Sequence, residues 1–145
     1  MIETVTNPHA VSVLHAVVAL TLWSLVMFLW MYATRLPAMK AMNPQDAAHT
    51  HALRGRLPSR VEAVSDNYNH LFEAPTAFYA IAFAVVLLGL ADPLHAACAW
   101  AFVVLRVVHS LVQATFNRVV IRFLVFSLSW LAMAVMMVRA ALASF

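Results

Sequence analysis

The sequence predicts an all-α integral membrane protein, folded as a four-transmembrane-helix antiparallel bundle. Three observations carry that prediction. Of the 145 residues, 64% are hydrophobic and only 10% charged, whereas a soluble domain carries about 25% charged residues. The mean hydropathy is +0.84. The apolar residues also fall into four runs, each long enough to cross a hydrocarbon core that needs about 20 helical residues. With 2 Gly and no Ser/Gly-rich stretch, there is no linker, so residues 1–145 read as one domain.

The first span covers Val11 to Thr34 and holds no Lys, Arg, Asp or Glu. Arg35 and Pro37 are expected to end it. A polar loop follows to about Pro58, carrying Lys40, Asn43, Pro44, Asp46, Arg54 and Arg56. The second span runs from about Arg60 to Leu90, with Pro58 suited to open the helix. Its first turns are polar (Glu62, Ser65, Asp66, Asn67, Asn69, His70, Glu73) and the remainder apolar. Ala91-Asp92-Pro93 reads as a tight turn, with Asp92 as N-cap and Pro93 at the first helical position of span three. That span continues from Leu94 to about Thr115. Asn117 marks another turn, and span four runs from about Val119 to Ala143.

Short connections make spans two, three and four antiparallel. One side then holds Arg35, Lys40, Arg54, Arg56, Arg60, Arg118 and Arg122, and the other only Arg139. The positive-inside rule places the first group in the cytoplasm and both termini on the non-cytoplasmic side. The net charge of +3 is therefore a topology signal, and nucleic-acid binding has no support. Met1–Asn7 lacks the basic stretch of a signal peptide, so the first span is expected to be retained. Cys98 is the single cysteine and lies in a span, which excludes an intrachain disulfide.

Candidate chemistry sits where apolar spans accept charge. Arg106 and His109 lie inside span three, and a charged side chain at the bilayer centre costs roughly 2.5–3.5 kcal/mol on insertion scales. Glu62, Asp66, Asn69 and Glu73 share one helical face of span two, with His70 beside them. Arg106, His109 and Gln113 share a face of span three. The two stripes reach similar depths, which predicts a buried Glu73–Arg106 ion pair. Such a pair either belongs to a site or only fixes helix register. Arg35, Arg118 and Arg122 either mark the interface or form a guanidinium cluster suited to an anionic ligand. His49, His51 and His70 fit no zinc spacing, and no metal site is expected. No Ser-His-Asp set, CxxC or Gly-rich phosphate loop occurs.

The stretch from Arg35 through Lys40, Asn43 and Pro44 to Asp46 resembles the loop after the first span in the microsomal prostaglandin E synthases of the MAPEG family, the membrane-associated proteins in eicosanoid and glutathione metabolism. Asn69-His70-Leu-Phe-Glu73-Ala-Pro75 resembles that family's second-span motif, and Arg106-Val-Val-His109-Ser its third-span motif. Arg118 and Arg122 fall at matching spacings, and the resemblance covers about residues 10 to 140.

The resemblance implies a homotrimer of four-helix subunits with glutathione bound between them at the cytoplasmic side. It places Arg35, Glu73, Arg106, His109 and Arg122 at positions that hold glutathione or support its site, with Arg122 stabilising the thiolate. Asn69, His70, Gln113 and Arg118 belong to the same motifs. The chain departs from the family at Asp66 and Asn69, where glutathione-binding members carry arginines. His70 replaces an Asn, Gln113 a Tyr, and Phe123 a Ser. Losing one partner of a buried charged hydrogen bond costs roughly 2–5 kcal/mol, enough to carry a micromolar affinity into the millimolar range. Three functions compete: a thiol-dependent transferase or isomerase acting on lipophilic electrophiles, a non-catalytic accessory subunit of a larger membrane protein complex, and a binder of a non-thiol ligand such as an amine.

Overall fold

The computed structural model describes residues 7–40, 42 and 55–145. Asn43, Pro44, Asp46, His49, His51 and Arg54 of the predicted loop motif lie outside the described residues. Helix α1 spans Pro8–Lys40, α2 Ser59–His70, α3 Ala74–Leu87, α4 Pro93–Ala114 and α5 Val119–Ser144. Four helical stretches are long and apolar enough to cross a membrane, with α2 and α3 together forming one of them. The chain is thus a multi-pass integral membrane protein, and among the described residues it contains no strand.

Asn7 caps α1, its Oδ1 accepting from the His9 N–H at 2.9 Å, and Pro8 occupies the first helical position. The helix does not stop at Thr34 as predicted; it passes Pro37 and ends at Lys40. At about 1.5 Å per residue it outruns the hydrocarbon thickness. Pro37 therefore withdraws its hydrogen bond where water can replace it.

The second span is not the continuous helix predicted from Arg60 to Leu90. It breaks over Leu71–Glu73 and resumes at Ala74. Pro75 has no N–H to offer the Leu71 carbonyl, and its ring crowds that carbonyl. Glu73 becomes the N-cap residue of α3 without making a capping bond. Pro58 likewise stands just before α2 rather than inside it.

Two tight connections then fold the chain back on itself. After α3, Gly89 at φ +70° lets its own N–H reach Val86 O at 3.1 Å and the Leu90 N–H reach Val85 O at 2.9 Å, a Schellman closure. Asp92 caps α4 as the sequence predicts, accepting from the His95 N–H at 2.8 Å. Asn117, with φ 48°, turns the chain from α4 into α5.

Helix α4 packs against α1, α2 and α5, while α3 packs against α1 and α5. The main core joins Val13 and Leu20 of α1, Phe78 and Val85 of α3, Ala99 and Phe102 of α4, and Met133 and Met136 of α5. Phe78 and Phe102 stack with centroids 4.5 Å apart. A second cluster holds Met27, Val64, Leu71 and Ala114, with Trp23 and Tyr68 against it. Many large apolar residues face outward, Leu22, Leu29, Phe123 and Leu131 among them, as a lipid-facing surface requires.

Candidate functional site

Helix α4 carries a polar stripe through an otherwise apolar bundle. Arg106, His109, Ser110 and Gln113 are all buried, because spacings of three and four keep them on the face turned towards α1, α2 and α5. The Arg106 guanidinium sits between two aromatic rings, 5.2 Å from the Phe102 centroid and 4.8 Å from that of Phe126 on α5. This is cation–π geometry on both faces.

The predicted Glu73–Arg106 ion pair is not formed. Glu73 is exposed, and its Oε2 meets His70 Nδ1 at 2.8 Å. Arg106 Nε and Nη2 have no hydrogen-bond partner. The physical reason is the facing of the stripe: Glu73 follows Asp66 and Asn69 at spacings of seven and four, and both of those are exposed, so this face of span two looks outward.

The structure divides the predicted site residues into two sets. Arg106, His109 and Gln113 form a buried inner set. Asn69, Glu73 and Arg118 are exposed, and Arg35, His70 and Arg122 half-buried. The sets touch at several points. The His70 and His109 rings meet edge to face at 6.4 Å, and His109 lies 6.0 Å from Phe126. Arg35 Nη1 donates to Ser65 Oγ of α2 at 3.4 Å. Arg122 Nη1 donates to Asn117 Oδ1 at 2.6 Å, leaving its Nε buried and unpartnered. The guanidiniums of Arg35 and Arg122 thus bond different partners, and Arg118 is exposed at the head of α5. Asp66 faces outward with Asn69, and Glu62 accepts from the Gly55 N–H at 2.5 Å.

Sequence reasoning missed Asn67, Ser110 and Phe126. Asn67 is 1% exposed, with neither side-chain atom bonded. It lies on the α2 face of Val64 and Leu71, spaced three and four residues from them, a signal readable in the sequence. Ser110 Oγ, Gln113 Oε1 and Trp23 Nε1 are also buried without partners. Buried polar groups normally find partners, so this concentration in one half of the bundle marks a place built for something other than packing. Among the described residues no three His, Cys, Asp or Glu side chains are grouped to hold a metal.

A family model described as the MAPEG family matches residues 13–142. No curated protein matches the chain, and no solved structure does.

Proposed function

The chain belongs to the MAPEG family, and we propose that it is a membrane transferase or isomerase that activates a glutathione-type thiol against lipophilic electrophiles. The observation that carries this reading is the inner set: a buried arginine with open donors, beside His109 and Gln113, in a bundle that had no packing need for them. An intramembrane ionisable residue marks a functional site by default.

The donor set fits a peptide thiol. Arg122 Nε and Arg106 Nη2 offer unused donors, and Gln113 Oε1 an unused acceptor. Bound there, glutathione supplies a thiol nucleophile. Arg122 is the residue to stabilise its thiolate, since a neighbouring guanidinium favours the charged form. Arg35 and Arg118 suit the carboxylates; Glu73, with His70 and Asn69, suits the ammonium end. Arg106, His109 and Gln113 hold this outer set from within. We further propose a homotrimer, whose neighbouring subunit closes the exposed side of the site, and a cytoplasmic location for the arginine-rich end.

One observation favours a second reading, a non-catalytic accessory subunit of a membrane assembly. Asp66 and Asn69 both face outward beside the site and present a carboxylate and an amide where the family resemblance calls for arginines. Isothermal titration of glutathione into the purified protein separates the two. Binding between micromolar and low millimolar, abolished by Arg122→Ala, supports the enzyme. No binding to folded protein overturns it and directs the search to protein partners.

A further inference from the structure

The opposite end of α4 carries a second polar cluster that the reading above does not use. Asp92, His95 and Arg139 meet there, 11 residues before Arg106 in the case of His95, or about 16 Å along the helix. Asp92 Oδ1 accepts from His95 N at 2.8 Å and from His95 Nδ1 at 2.9 Å. Asp92 Oδ2 accepts from Arg139 Nη2. The carboxylate is thus fully engaged and its charge compensated by the guanidinium.

Two groups of the cluster remain open. Because an ionised carboxylate can only accept, His95 Nδ1 carries the proton. In the neutral ring Nε2 is then a bare acceptor. The His95 side chain is only 4% exposed, and Nε2 has no partner. Arg139 has five N–H donors, of which the described bonds use one, and its side chain is 43% exposed. Both residues line an open cleft of about 430 Å³, whose remaining wall is Leu90, Leu142 and Ala143. That volume lies within the roughly 300–1,000 Å³ of small-ligand sites.

The cleft opens at the ends of the spans, where headgroups meet acyl chains. It offers a guanidinium edge for a phosphate, an acceptor for a hydroxyl, and an apolar wall of Leu90, Leu142 and Ala143, with Leu87 and Leu88 exposed at the end of α3. We infer that this cleft is a lipid site, taking an anionic phospholipid with a hydroxylated headgroup. Its phosphate sits on Arg139, its hydroxyl donates to His95 Nε2, and its acyl chain lies along Leu90 and Leu142. A zwitterionic choline lipid meets only part of this, having no hydroxyl to donate and a cation to place beside Arg139.

The test is lipid retention by the full chain in detergent, read by native mass spectrometry together with the unfolding midpoint. The probes are phosphatidylglycerol, phosphatidylmethanol and phosphatidylcholine of identical chains. Phosphatidylglycerol should be retained about tenfold better than phosphatidylcholine, which shares the phosphate contact but lacks the hydroxyl for His95 Nε2 and brings a cation beside Arg139. Phosphatidylmethanol, which keeps the charge and lacks the hydroxyl, should fall between. Arg139→Gln should reduce phosphatidylglycerol to the choline level. Leu142→Trp, which fills the cleft and spares the Asp92–Arg139 bond, should do the same and guards against a folding artefact. Arg122→Ala should leave retention unchanged, so the two sites fail independently. Equal retention of all three lipids, or undiminished phosphatidylglycerol retention in both cleft variants, would overturn the inference. A second copy of the chain covering the cleft would produce the first of those results.

Discussion

Replacing Arg106 with methionine should stabilise the protein while destroying its ligand binding. Arg106 is 1% exposed, with two nitrogens unpartnered and two aromatic rings as its neighbours. Losing two cation–π contacts costs about 1–4 kcal/mol. Relieving two unbonded buried donors returns about 2–6 kcal/mol, and the desolvation of the charge adds to that return. Methionine is unbranched and long enough to fill the slot between Phe102 and Phe126. The balance is a gain of about 1–2 kcal/mol. The assay is reversible unfolding in mixed micelles followed by circular dichroism, as a double-mutant cycle with Glu73→Gln. Residues not in contact add within about 0.5 kcal/mol, so the coupling should fall below that. Destabilisation of about 3–5 kcal/mol would instead be the mark of a broken buried pair. Together with a coupling above about 1.5 kcal/mol, it would show that Arg106 has a carboxylate partner in the assembled protein and would refute the reasoning.

Other perturbations probe the elements that place the site. Pro75→Ala removes the cause of the break between α2 and α3 and should lengthen the helix through Leu71–Glu73; loss of glutathione binding without loss of thermal stability is the expected result. Gly89→Ala meets no clash, yet its φ of +70° should cost about 1 kcal/mol in the unfolding assay. The Asp92 carboxyl is held below its ordinary value, first by the His95 backbone N–H, against the opposing effect of burial and with the aid of the His95 and Arg139 charges. A lowered folded pKa stabilises above the unfolded value of 3.8 and that stability is lost as pH falls through the folded one. Asp92→Asn keeps the cap and should flatten the acid limb of an unfolding-midpoint profile; an unchanged limb would show that Asp92 does not contribute to it.

The fold was legible in the sequence because membrane insertion writes it in composition. Four apolar runs, the Asp92-Pro93 start and the short turn at Asn117 needed only counting. The site was half legible. Arg106, His109 and Gln113 were visible as a polar stripe at helical spacing, and the structure buries all three. The Glu73–Arg106 pair fails because depth along a helix does not fix which face turns inward, and the face of Asp66, Asn69 and Glu73 is the exposed one. Pro37 misleads in another way: a proline in the last turns, beyond the apolar core, does not stop α1. Asn67 stands among Asp66 and Asn69, the two departures from the family pattern, yet its spacing with Val64 and Leu71 already points inward.

The distribution of unmet hydrogen bonds separates the two ends of the bundle. Near the α3–α4 turn, Asn7 Nδ2 reaches Ala91 O at 2.9 Å, Trp100 Nε1 reaches Ser12 Oγ at 3.2 Å, and Asp92 binds both His95 and Arg139. Among the described residues, the one buried side-chain atom left without a partner there is His95 Nε2. At the other end Trp23, Asn67, Arg106, Ser110, Gln113 and Arg122 all keep buried atoms without partners. A chain selected for stability alone would replace such groups with hydrocarbon, since each orphan costs about 1–3 kcal/mol. Asn67→Leu makes that argument measurable. The substitution keeps the branching and number of side-chain heavy atoms and removes two orphaned atoms, and after the cost of leucine's larger volume a purely structural role predicts a gain of about 1 kcal/mol. If Asn67 bonds a ligand or ordered water in the working protein, the same change should weaken glutathione binding while stability rises. A loss of stability with binding intact would show that the amide already has its partner within the bundle, and would end the case for this half as the functional one.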